Sequence, residues 1–177
     1  MSSRRVVVLC GVLAAAVLFG GRVNAAIINY AANQIISEGG DVYVRFDSVS
    51  AGHSSNLVSP DLGAVLFNNK TASIGTVVNL GSFAAGQVID FRLDNLTTGL
   101  SYFTGPSANN VDNSVHALLN ENTDGSVTVG FEDLSQGSDW DYNDLVFSVF
   151  EVPLPAAAWL LLAGLAGLSF ASRRSMA

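Results

Sequence analysis

Cysteine is nearly missing from this chain of 177 residues, and the single one, Cys10, lies in an apolar run near the start. From Ala26 onward neither a disulfide nor a cysteine nucleophile is available. Histidine is almost as scarce, with only His53 and His116. A structural zinc site draws on several Cys or His ligands, so zinc is not expected. Positive charge is the third shortage. Between Ala26 and Pro155 only Arg45, Lys70 and Arg92 oppose all fifteen acids, a balance of −12 against −7 for the whole chain. Phosphate backbones would be repelled, which excludes nucleic acid as a partner and favours cations. Helical periodicity is absent from the same region. So are the Gly-x-Ser-x-Gly elbow and the His-Glu-x-x-His pair of familiar hydrolases.

What is present begins with two apolar ends. Arg4 and Arg5 precede the run Val6–Phe19, and Val23-Asn24-Ala25 supplies small residues at signal-peptidase spacing. Residues 1–25 read as a secretory signal cleaved after Ala25. At the other end the apolar stretch Ala156–Ala171 is followed by Arg173 and Arg174. It is short for a spanning helix, which needs roughly 17–25 residues. Pro155 suits the first turn of such a helix. The arginines would stay on the cytoplasmic side and leave the domain outside.

Val152-Pro153-Leu154-Pro155-Ala156, a Trp-containing apolar helix and a terminal Arg cluster resemble the VPLPA variety of PEP-CTERM sorting signals. The resemblance covers residues 152–177. It implies a Gram-negative bacterium with an extracellular polysaccharide system. It also implies an exosortase-type membrane protease that recognises Pro153–Pro155 and removes the helix. A plain C-terminal membrane anchor is the alternative.

Residues 26–151 form the domain between. Val42, Val44 and Phe46 alternate with Tyr43, Arg45 and Asp47; Val88–Leu93 and Val127–Glu132 repeat the pattern. Period two over such runs predicts half-buried strands. The segment from Leu145, "LVFSVF", is apolar on both faces, as a central strand would be. Weaker strands are expected near Gly63–Phe67, Thr76–Leu80 and Val115–Leu119, with Gly, Asn and Ser clusters between. The expected fold is all-β, an antiparallel sandwich of jelly-roll-like form, flanked by the N-terminal signal helix and the C-terminal transmembrane sorting helix.

The segment "GFEDLSQGSDWDYNDLVFSV", Gly130–Val149, carries five acids and no base. If the flanking strands pair, Glu132 and Asp144 stand at adjacent strand ends with Asp139 and Asp141 above. Asp139, Asp141 and Asn143 also follow the D-x-D-x-N opening of a calcium loop, in which alternate side chains face one ion. Calcium takes six to eight oxygens in irregular geometry, whereas magnesium demands an octahedron. Glu132, Asp133, Asp139, Asp141, Asn143 and Asp144 are the candidate ligands. An EF-hand is excluded, because Asp144 stands where Gly is required and Phe150 where Glu is. Trp140 and Tyr142 are expected to pin the loop to the sandwich, with sugar stacking as the alternative. His116 reads as a structural histidine. Asn69-Lys70-Thr71 and Asn95-Leu96-Thr97 match the glycosylation pattern by chance.

That same segment, with "SYFTGPSANNVDNSVHALL" before it, resembles the domain-of-unknown-function family numbered 4114 over roughly residues 60–151. The resemblance implies a β-rich domain of secreted and surface proteins, with the same six residues as calcium candidates. Three functions remain open. The first is a calcium-stabilised structural or adhesive module, held at the cell surface or in exopolysaccharide. The second is a calcium-dependent carbohydrate-binding domain. The third, a glycoside hydrolase, is disfavoured because crowded oxygen donors look like ligands rather than an acid and base. No catalytic residue is named.

Overall fold

In the computed structural model, residues 27–153 are described, apart from Tyr30 and Gln136. The expected signal helix with Ala25 lies outside the described residues, as do Leu154, Pro155, Ala156, Arg173 and Arg174. Among the described residues no helix is long and apolar enough to cross a membrane.

Strands follow wherever apolar residues alternate, because a pleated chain sends successive side chains to opposite faces. The elements are β1 (Ile27–Asn29), β2 (Gln34–Ile36), β3 (Gly40–Ser48), β4 (Ser55–Ser59), β5 (Ala64–Asn68) and β6 (Val77–Phe83). Then come β7 (Val88–Ile89), β8 (Arg92–Asn95), β9 (Leu100–Phe103), β10 (Ala117–Glu121), β11 (Val127–Phe131) and β12 (Leu145–Pro153). A single turn of 3-10 helix, Ser107–Asn109, is the other regular element among the described residues.

Three antiparallel sheets result. The largest has the order β10-β11-β12-β3-β6, the next β5-β4-β8-β9, and the smallest β1-β2-β7. The two larger sheets share one core. Val42, Val44 and Phe46 of β3 and Leu145, Phe147 and Val149 of β12 meet Leu57 of β4, Leu93 of β8 and Tyr102 of β9, all fully buried. Phe91 meets Phe147 edge-on at 4.8 Å, and Phe46 stacks on Phe67 at 5.6 Å, so aromatic pairs join the layers. Each such side chain contributes about 1.5–3 kcal/mol on burial. The expected antiparallel sandwich is therefore the fold.

Two details differ from the sequence pattern. The alternation Val88–Leu93 is split between β7, paired with β2, and β8, paired with β4 and β9. Ile89 and Phe91 keep facing the core as the chain passes from one sheet to the other. Phe91 stays bonded across the gap, its N–H donating to Thr104 Oγ1 at 2.9 Å. In addition, β12 runs past Glu151, with Val152 opposite Asp41 and Pro153 opposite Gly40. Proline is tolerated there because a strand end needs no further donor.

Candidate metal centre

Register decides which acids meet. Phe131 of β11 pairs with Leu145 of β12, so the next residue outward on each strand is Glu132 and Asp144. The Glu132 N–H donates to the His116 carbonyl at 2.9 Å, and the Asp144 N–H to the Phe131 carbonyl at 3.2 Å. The loop between the strands then folds back over this end. Trp140 and Tyr142 both have φ of 54°, in the left-handed region. That conformation is costly for a residue with a Cβ, and here it recurs at alternate positions beside Asp139 and Asp141.

The consequence is a trio. One carboxylate oxygen each from Glu132, Asp139 and Asp141 lie within 4.8 Å of one another. Glu132 is 2 % exposed, and its Oε2 is buried without a hydrogen-bond partner. Asp139 and Asp141 are open to solvent. Such a group fits a hard divalent cation: the donors are all oxygen, no base is among them, and one buried oxygen lacks any other partner.

The other three sequence candidates stand beside the trio in bracing positions. Asp144 accepts the Asp133 N–H through Oδ2 at 2.9 Å. Asn143 donates to Asp141 from its side chain and, at 3.3 Å, from its backbone N–H. Asp133 turns toward the second sheet, where the Ser55 hydroxyl donates to its Oδ2 at 3.0 Å. Burial, with the Asp144 and Asp139 carboxylates nearby, pushes the Glu132 carboxyl up to about 7. Burial and Asp144 likewise raise that of Asp133. Unscreened repulsion of this kind is what a bound cation would relieve.

Several residues that hold the site do not stand out in the sequence. Asn95 of β8 receives the Thr97 and Thr98 N–H groups on Oδ1, at 2.9 and 3.0 Å. Its Nδ2 donates to the Asp133 carbonyl at 2.8 Å and lies 3.0 Å from His53 Nδ1. Asn69 receives the Ser55 N–H at 2.9 Å and donates to the His53 carbonyl at 3.1 Å. Both asparagines are buried, so neither glycosylation pattern presents a free amide. The available signal was Asn in a turn-forming stretch, since such side chains bond to the backbone two or three residues on.

His116 is fully buried, with Nδ1 at 3.0 Å from the Glu132 carbonyl and Nε2 at 3.0 Å from Asp112 Oδ2. It stacks on Tyr102 at 3.9 Å. The Tyr142 hydroxyl donates to the Val115 carbonyl at 3.1 Å and so ties the loop down. Trp140 stays 39 % exposed, 5.2 Å from the His116 ring. Next to the trio a cavity of about 230 Å³ is lined by Gly52, His53, Glu132, Asp133, Asp139 and Asp144, among others.

Residues 55–151, more than half of the chain, match the family described as Domain of unknown function (DUF4114). The chain belongs to this family. The match spans β4 to β12 and so includes the sheet β5-β4-β8-β9, the larger sheet apart from its strand β3, and the whole acidic loop of this DUF4114 domain. No curated protein and no solved structure matches the chain.

Proposed function

We propose that this DUF4114 protein is an exported, surface or exopolysaccharide-associated structural module whose β domain is completed by calcium. The observation that carries the reading is Glu132 Oε2, buried without a partner and within reach of Asp139 and Asp141. A buried, unbonded carboxylate oxygen costs stability unless a proton or a cation answers it. Glu132, Asp139 and Asp141 would hold the ion, with Asp144, Asn143 and Asp133 bracing them. Export rests on the signal-like residues 1–25. Retention rests on the likeness of residues 152–177 to exosortase substrates. No chemical step is assigned to the domain.

Calorimetric titration of the purified chain with calcium tests the cation. A ligand held only by the folded state adds about 2.7 kcal/mol at a hundredfold excess over Kd. In a domain of this size the melting temperature should rise by about 2–8 °C. Asp139→Asn together with Asp141→Asn should abolish that rise without lowering the melting temperature in EDTA. An absence of calcium binding at millimolar concentration would sink the reading.

A second reading, calcium-dependent carbohydrate binding, draws support from Trp140. This indole stands between two ligand candidates and keeps an exposed surface. Glycan-array binding by the calcium-loaded chain, lost in Trp140→Ala with calcium affinity intact, separates it from the purely structural role.

A further inference from the structure

We infer that the cavity beside the acidic trio is a ligand subsite for a neutral sugar diol, held jointly by the cation and by His53. The inference rests on the calcium reading above and deepens it. With one carboxylate oxygen from each, the three side chains supply three oxygens, fewer than calcium's full shell of six to eight. The cavity adjoins two of those ligands, Glu132 and Asp139, so the remaining coordination positions have space for an incoming oxygen.

Among the described residues His53 is the one side chain lining the cavity that offers a nitrogen donor, and its ring is 30 % exposed. Its protonation pattern follows from a chain of hydrogen bonds. The Thr97 and Thr98 N–H groups can only donate, so they fix Asn95 Oδ1 as the acceptor side of that amide. Asn95 Nδ2 must then face the Asp133 carbonyl and His53 Nδ1 as a donor. His53 Nδ1 accepts, and the ring carries its proton on Nε2. Among the described residues Nε2 makes no hydrogen bond, which leaves an N–H free for a ligand.

Charge selects the class of ligand. Glu132, Asp133, Asp139, Asp141 and Asp144 surround the cavity and the trio, and one divalent cation does not neutralise them. An anionic sugar or a phosphate would meet the surplus negative charge. Two adjacent hydroxyls would not. They can enter the cation's shell as neutral oxygens, while a neighbouring ring or hydroxyl oxygen accepts from His53.

The test is calorimetry on the purified full chain. Calcium alone is titrated first. Methyl α-mannopyranoside and methyl β-galactopyranoside, each with a vicinal cis-diol, are then titrated with calcium and with EDTA. The methyl glycoside of mannuronate serves as the charged comparison. At least one neutral glycoside should bind, only with calcium, and more tightly than the uronate. His53→Ala should weaken it about tenfold, the effect of one lost hydrogen bond. His53→Gln, which restores an N–H donor, should recover part of the loss. Gly52→Val provides a second block that leaves the hydrogen bonds alone, since a Cβ at Gly52 meets nothing within 4 Å. Calcium affinity should hold in all three variants. Glycoside binding in EDTA, none to the calcium-loaded chain, or full binding by both His53→Ala and Gly52→Val would overturn the subsite. A failure of the cation reading would be seen separately, in the first titration.

Discussion

Glu132 concentrates the electrostatics of this domain in one side chain. Its folded carboxyl titrates at about 7, against an ordinary 4.5. The folded state therefore holds the proton more tightly than the unfolded chain. The stabilisation is fully present below about pH 4.5 and is lost as pH rises through about 7. The raised carboxyl of Asp133 acts in the same direction. Asp94, lowered mainly by its Arg92 and Ser101 partners against the cost of burial, acts in the opposite sense, but below about pH 4. In EDTA, urea denaturation should thus give lower stability at pH 7.5 than at pH 5. Saturating calcium should flatten or reverse the trend. Glu132→Gln should remove most of the pH dependence and be more stable than the parent in EDTA at pH 7.5. Stability in EDTA that rises from pH 5 to pH 7.5 would contradict the assignment. The acids were legible in the sequence because they crowd without a base. Their division of labour was not, since spacing alone gives Asp133 and Asp139 equal standing. Only the fold shows Ser55 turning Asp133 toward the other sheet.

At the level of elements, the site depends on how closely the acidic loop lies on β11. Gly130 makes that approach possible. A Cβ there would stand 2.2 Å from the Tyr142 carbonyl oxygen, a backbone atom that cannot swing aside. Gly130→Ala should therefore lift the loop, cost about 1–3 kcal/mol by overpacking, and weaken calcium binding by pulling Asp141 from Glu132. Gly125→Ala is the matched control. It lies between β10 and β11, away from the acidic loop, at φ of 82°, so the strain of a Cβ in that conformation should cost about 1 kcal/mol and spare calcium binding. Equal calcium affinity in the two variants would refute the argument. The β11–β12 pairing was readable because both strands alternate or are apolar throughout. Several shorter strands were not. β4, "SNLVS", was not among the expected strands, and it places Ser55 and Ser59 inward, fully buried, without an apolar alternation to announce it. Ser55 is tolerated there because Asp133 accepts its hydroxyl, a contact 78 residues away in sequence. β1, β2 and β9 span three or four residues, too few for a period to register.

Across the whole molecule, a domain with a strong negative balance is bracketed by two apolar ends, and its last strand runs directly into the expected sorting segment. Val152 and Pro153 belong to β12, opposite Asp41 and Gly40 of β3. Leu154, Pro155 and the apolar stretch follow at once in the sequence. A protease acting on Pro153–Pro155 at the membrane would have to work against the end of a sheet. Pro153→Ala with Pro155→Ala should leave the fold unchanged, because alanine is accepted at a strand end and adds a backbone donor. Calcium-dependent melting of the double variant should match the parent. In cells the same variant should stay in the membrane fraction with its tail attached, while the parent is released from that fraction. Mass spectrometry of the mature parent decides between the sorting signal and the plain anchor. A mature protein that still carries Trp159 would refute processing, and membrane retention would then belong to the apolar stretch alone. Release of the double variant at the parental rate would instead show that cleavage ignores the two prolines, and the recognition assigned to them would fall.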